Sequence, residues 1–222
     1  MKFGNLNASV IVSDLFQENC FILWLEGRTD CLVVDPGLEP DRILAEIERI
    51  ELTPAAILNT HGHSDHIAGN GSMKENWPEC PLIIGKYDEP KLTDPNLNLS
   101  APFGMSLVSP EADQTVLEGD QTSFAGIELE VLETPGHSIG HVVFLWRDDP
   151  CVLINGDVLF AGGIGRTDFP DGSFEQLRDA IHQKLFVLPE STIVLTGHGP
   201  ETSIGEEKAT NPFVGRPAGY TD

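Results

Sequence analysis

Apolar residues recur along this chain in two rhythms. Short apolar runs closed by turn residues stand at 20–25 (CFILWL), 31–35 (CLVVD), 55–60 (AAILNT), 141–146 (HVVFLW), 151–155 (CVLIN) and 191–196 (STIVLT). Runs of this length and β-branched content predict strands, the first two joined by the turn EGRT. At 127–134 (IELEVLET) apolar and polar positions alternate, so Ile127, Leu129 and Val131 face one way, as in a half-buried strand. The other rhythm is helical. DRILAEIERI (41–50) collects Ile43, Leu44, Ile47 and Ile50 on one face. SFEQLRDAIHQKLFVL (173–188) does the same with Phe174, Leu177, Ile181 and Leu185, and Ser173 followed by Gln176 is a capping-box start. Residues 88–113 carry four prolines and little periodicity, which predicts a long surface excursion on the substrate side of the molecule.

No repeat or low-complexity tract divides the pattern, so a single domain over residues 1–222 is expected. Composition adds one strong feature, a formal net charge of −22 from 13 basic and 35 acidic residues. A field of that sign opposes binding to nucleic-acid phosphates and anionic lipid headgroups, so neither nucleic acid nor membrane is expected as a partner. The opening MKFGNLNASVIVSDL lacks the continuous apolar core of a secretory leader, and no apolar run approaches the ~20 residues of a membrane span. Four scattered cysteines (Cys20, Cys31, Cys80, Cys151) without a CxxC pair fit reduced thiols and a cytoplasmic setting.

The chemistry sits just past the strands. AAILNT runs into His61, His63, Asp65 and His66; IELEVLET is followed by His137; CVLIN by Asp157; STIVLT by His198. If these strands neighbour one another and point the same way, their ends converge on one rim. Imidazole nitrogen and carboxylate oxygen suit zinc and similar divalent ions, with iron and manganese as alternatives. Five histidines and two aspartates are too many for one tetrahedral ion but fit two, with three ligands each and one shared carboxylate. The chain has only seven histidines. The remaining two carry blander readings: His182 faces solvent from mid-helix, and His141 either supports the site from behind its ligands or is satisfied in the core.

THGHSDH (60–66), ETPGHSIGH (133–141), INGDVLF (154–160) and TGHGP (196–200) together resemble the metallo-β-lactamase superfamily, in its order and over nearly the whole chain. The resemblance implies an αββα sandwich, an α/β layered fold with two β-sheets face to face and helices outside. It implies that His61, His63 and His137 hold one metal, that Asp65, His66 and His198 hold a second, and that Asp157 bridges them. ENCFIL (18–23), GDVLFAGGIGRTDFPDGS (156–173) and GHGPETSIGEEKATNPF (197–213) resemble the short glyoxalase II-like thioester hydrolases. That implies cleavage of an S-2-hydroxyacylglutathione such as S-lactoylglutathione by a metal-bridging hydroxide, with Asp65 and Asp157 catalytic and Arg166 binding the glutathione carboxylate. Against full-length glyoxalase II, no separate C-terminal helical glutathione-binding domain is expected, and Phe169 stands near the place of a tyrosine. GRTDF (165–169) is shared with persulfide dioxygenases, which imply one iron and oxidation instead of hydrolysis. A non-catalytic metal scaffold is the third reading.

Overall fold

A computed structural model describes residues 1–221. Fifteen strands and five α-helices occur among them. The first sheet takes β1 (Lys2–Phe3), β2 (Leu6–Val12), β3 (Asn19–Leu25), β4 (Asp30–Val34), β5 (Thr53–Asn59), β6 (Leu82–Gly85) and β7 (Gln114–Val116), in that order across the sheet. The second takes β8 (Gln121–Phe124), β9 (Ile127–Glu133), β10 (Val142–Trp146), β11 (Val152–Gly156), β14 (Ile193–Thr196) and β15 (Thr202–Ser203), with β11 and β14 parallel. Between them β12 (Leu159–Phe160) and β13 (Gly163–Ile164) form a separate hairpin. The chain completes one sheet before it starts the other, and passes between them through residues 117–120.

The sandwich follows from the alternation. Leu23, Leu32, Leu58 and Ile83 of the first sheet meet Leu129, Val131, Phe144 and Ile154 of the second in one buried layer. The opposite faces are covered by helices. Ile43 and Ile47 of α1 (Pro40–Arg49) pack on Ile22, Val33 and Ile57. Leu177 of α4 (Phe174–Ala180), with Ile181 and Leu185, packs on Val143, Leu145 and Leu153. Each large side chain enclosed this way contributes about 1.5–3 kcal/mol. This is the αββα arrangement expected.

Three expectations need correction. The helix expected over 173–188 is α-helical only to Ala180 and continues as a π turn over Ile181–Leu185. Ser173 does cap it, accepting from the Gln176 amide at 3.3 Å. His182 does not simply face solvent: its Nε2 donates to the Val214 carbonyl at 2.7 Å, and its ring lies 4.8 Å from that of Tyr220. The 88–113 segment is not a mere surface excursion either. It buries Asp88, Lys91, Leu92, Asn98, Ser100 and Ser109 and contains two 3-10 turns, Glu89–Leu92 and Ala101–Phe103. Among the described residues, no helix is long and apolar enough to cross a membrane.

Candidate metal centre

Parallel neighbours bring their ends together. β4 and β5 run parallel, so Asp35, just beyond β4, meets Thr60 and His61, just beyond β5. β11 and β14 run parallel in the other sheet, so Asp157 and His198 come together. The two sheets are stitched along this rim. The Val142 amide donates to the Thr60 carbonyl at 2.8 Å, and the Asn19 amide to the Gly197 carbonyl at 2.7 Å. A side chain at Gly197 would run into Asp157 Oδ1, and Gly156 holds a positive φ of 51° against Thr60. Glycine is needed at both positions.

All seven residues singled out as ligands gather here. One nitrogen each from His61, His63 and His137 forms a set within 4.8 Å, as does one donor atom each from Asp65, His66 and His198. Asp157 stands between the two sets, its carboxylate 3.5 Å from His66, 3.5 Å from His137 and 3.4 Å from His198.

Backbone and side-chain acceptors fix which nitrogen each imidazole offers. Nδ1 of His137 donates to the Arg166 carbonyl at 2.8 Å and Nδ1 of His198 to the Phe16 carbonyl at 3.0 Å. Nδ1 of His66 donates to Asp35 Oδ2 at 3.1 Å. Thr60 Oγ1 gives its own proton to Asp35 and so accepts from Nδ1 of His61 at 3.1 Å. Nε2 is therefore the nitrogen that these four rings have left to offer a ligand. In His63 it is Nδ1 that comes within 2.9 Å of His137 Nε2, and Nε2 is buried without a partner.

The donor set fits divalent metal ions. His61 Nε2, His66 Nε2 and Asp157 Oδ1 are buried without a hydrogen-bond partner. A buried polar atom left so costs about 1–3 kcal/mol unless something else satisfies it. Burial, reinforced by neighbouring imidazoles, holds His61 and His63 well below the usual histidine range, which keeps them neutral as ligands must be. Burial would lower His66 as well, but the Asp157 and Asp65 carboxylates override it and push it well above. Burial would raise Asp157, yet His66 and His198 hold it well below the usual carboxylate range.

A sequence profile of the metallo-beta-lactamase superfamily matches residues 13–198, an interval that contains all seven of these residues. The chain belongs to the metallo-β-lactamase superfamily. Among its relatives, a probable metallo-hydrolase of Bacillus subtilis, YqgX, is 42% identical over 200 residues, covering 89% of this chain and 92% of the relative. The hydroxyacylglutathione hydrolase GloC of Haemophilus influenzae is 35% identical over 212 residues, covering 94% and 98%. The crystal structure of the B3 metallo-beta-lactamase BLEG-1 superposes with a TM-score of 0.89 at 34% identity, over 94% of this chain and 99% of that one.

Around this superfamily site lie residues that motif reading passed over. Asp35 orients His66 and Thr60. Asp88 accepts from the Gly62 and Gly140 amides, both at 2.8 Å, and from Ser138, so one buried carboxylate ties the His61–His63 turn to the His137 turn. Lys91, also buried, bonds Ser138 and Asp171 and balances that charge. Glu18 is a buried carboxyl whose backbone pairs with that of His198; burial pushes it well above the usual range despite His66 nearby. His141 resolves both its readings at once. It is fully buried, stacks on His61 at 4.8 Å, and its Nε2 accepts from the Asp157 amide at 3.1 Å.

A cavity of about 260 Å³ opens onto the ligands. Asp65, His63, His137, Asp157 and His198 give its polar lining; Phe16, Leu99, Phe103, Phe160, Ile164 and Phe169 give its apolar lining. Phe160 and Ile164 belong to the β12–β13 hairpin, which the C-terminal residues hold in place. Glu207 accepts from the Gly162 amide at 3.0 Å, and Asn211 donates to the Gly163 carbonyl at 2.9 Å. Arg166 also lines the cavity, but Asp168 grips its guanidinium through two bonds of 2.9 Å, and it lies over the Phe169 ring at 4.5 Å.

Proposed function

We propose that the protein is a binuclear metallohydrolase that cleaves 2-hydroxyacyl thioesters, of which S-lactoylglutathione is the type. The observation that carries this reading is the two adjoining donor sets with a carboxylate between them, opening onto one cavity. His61, His63 and His137 would hold one ion, Asp65, His66 and His198 the other, and Asp157 would be shared. Zinc is the ion expected, with iron and manganese open to the same donors. Ions of this kind supply a Lewis acid for a carbonyl and acidify a water towards neutral pH. The other parts belong to the chain. Asp65 reaches the cavity and takes the proton of the attacking water. Phe169 packs against the rings of His63 and His137 at 5.1 and 5.5 Å and keeps bulk water off them. The thiol departs as a thiolate of pKa about 8.5 and needs no strong acid.

The likeness to BLEG-1 supports β-lactam amide cleavage as a second reading, in which Asp65, having taken the water's proton, would return it to the departing amine. Similarity to GloC supports the thioester. The presence of the Asp65, His66 and His198 set supports two ions over the single iron of an oxygenase. Three free buried cysteines fit a cytoplasmic setting.

Purified protein of measured metal content should hold two ions per chain and release thiol from S-lactoylglutathione. The Asp157→Ala variant should lose both ions together with turnover while keeping its circular dichroism. Oxygen uptake with glutathione persulfide, or nitrocefin cleavage, in the absence of thioester cleavage would overturn the reading.

A further inference from the structure

The proposed chemistry leaves half of the cavity unexplained. A 2-hydroxyacyl group is small and polar, and its carbonyl must lie against the donor sets. The thiol half of the substrate is then left to the apolar lining, where Phe16, Phe103 and Phe160 come from three separate chain segments. Phe16 and Phe103 meet edge to face at 5.5 Å, and Phe160 stands 6.1 Å from the His198 ring. Phe103 is 63% exposed and lines the cavity, so it presents apolar surface that a bound group can cover.

Charge points the same way. Among the described residues, Arg166 is the one lysine or arginine lining this cavity, and Asp168 holds it through Nε and Nη2. An anionic tail that approaches Arg166 through Nη1 has Asp168 beside it as a like charge. It must also approach a molecule of formal charge −22. A neutral apolar group meets neither obstacle and gains by covering the phenylalanines.

We infer that this site prefers thioesters whose thiol carries a neutral apolar group, aromatic or branched aliphatic, over the anionic tripeptide of glutathione. The inference rests on the thioester reading above.

Three lactoyl thioesters with one acyl group and different thiols test it: 2-phenylethanethiol, N-acetylcysteamine and glutathione. The phenylethyl thioester should lead N-acetylcysteamine by about tenfold in kcat/KM. The glutathione thioester should be poorest at low ionic strength and improve as salt screens the protein's charge, while the neutral pair stays level. Phe103→Ala should narrow the gap between the phenylethyl and N-acetylcysteamine substrates. Asp168→Asn should free Arg166 and raise kcat/KM for the glutathione thioester several-fold. A glutathione thioester preferred at low salt, or Phe103→Ala slowing all three alike, would overturn the inference.

Calorimetry with two unreactive sulfides separates this from the parent reading. If no thioester is cleaved but 2-phenylethyl methyl sulfide still binds more tightly than S-methylglutathione, the reaction is wrong and the preference stands. If S-methylglutathione binds at least as tightly, or neither binds, the preference is wrong.

Discussion

An imidazole serves a metal through one nitrogen at a time, so whatever holds the other nitrogen decides whether it serves at all. Asp35 is the most economical case here, because one carboxylate orients His66 directly and His61 through Thr60. Asp35→Asn keeps the shape but loses the charge and one acceptor. It should weaken binding of the ion at Asp65, His66 and His198 by roughly 10–100-fold, as partners of ligating histidines usually do. Competition with a chromophoric chelator measures this, and unchanged affinity at both sites would remove Asp35 from that role. The candidate ligands are legible because each follows a recognisable strand, and HxHxDH is dense in a chain poor in histidine. Asp35 also follows a strand, but in CLVVD it reads as the strand's own last residue. The structure ends β4 at Val34 and turns Asp35 to a positive φ of 46°. The Arg166 side chain, the expected binding group for a substrate carboxylate, is paired with Asp168. Its clearest link to the site is its main-chain carbonyl, which fixes the tautomer of His137.

At the scale of elements, α1 shows how a surface helix is tied down. Glu46 receives a two-pronged bond from Arg49, at 2.7 and 2.8 Å, and another from Ser9 of β2. The Arg49 bond, helped by that of Ser9 and opposed by partial burial, lowers the Glu46 carboxyl from 4.5 to about 2. A carboxyl depressed on folding stabilises above its unfolded value and loses that contribution as pH falls towards the folded one. Glu46→Gln should therefore cost about 1 kcal/mol at pH 7, a modest figure because Arg49 is largely exposed. The gap to wild type in urea midpoint should narrow as pH drops from about 5 towards 3; a constant gap would contradict the linkage. The helical face of α1 was plain in its apolar spacing. The 88–113 segment was not, because Asp88 and Lys91 find their partners at Gly62, Ser138, Gly140 and Asp171, all remote in sequence. The same holds for the π turn at Ile181, where His182 reaches a carbonyl at Val214.

For the molecule as a whole, short apolar runs and the alternation at 127–134 announced strands, but strand order is a property of pairing that no single segment carries. That β4 lies parallel to β5, and β11 to β14, is what turns scattered strand ends into one site. The sheets divide the labour unevenly. His61, His63, Asp65 and His66 come from the first half of the chain; His137, Asp157 and His198 come from the second. The halves are joined by one covalent passage, an exposed turn around Gly119. The protein is thus separable into two pieces without cutting either sheet. A protease site placed in that turn should yield a nicked molecule that stays paired and retains its ions. Chelator in mild urea should then let the pieces drift apart, whereas the uncut chain only loosens. Pieces that part equally readily with and without metal would mean that the ions do not clamp the seam. If the proposed ions are held there, they double as rivets between two half-proteins, and mechanical integrity becomes a direct readout of metal supply.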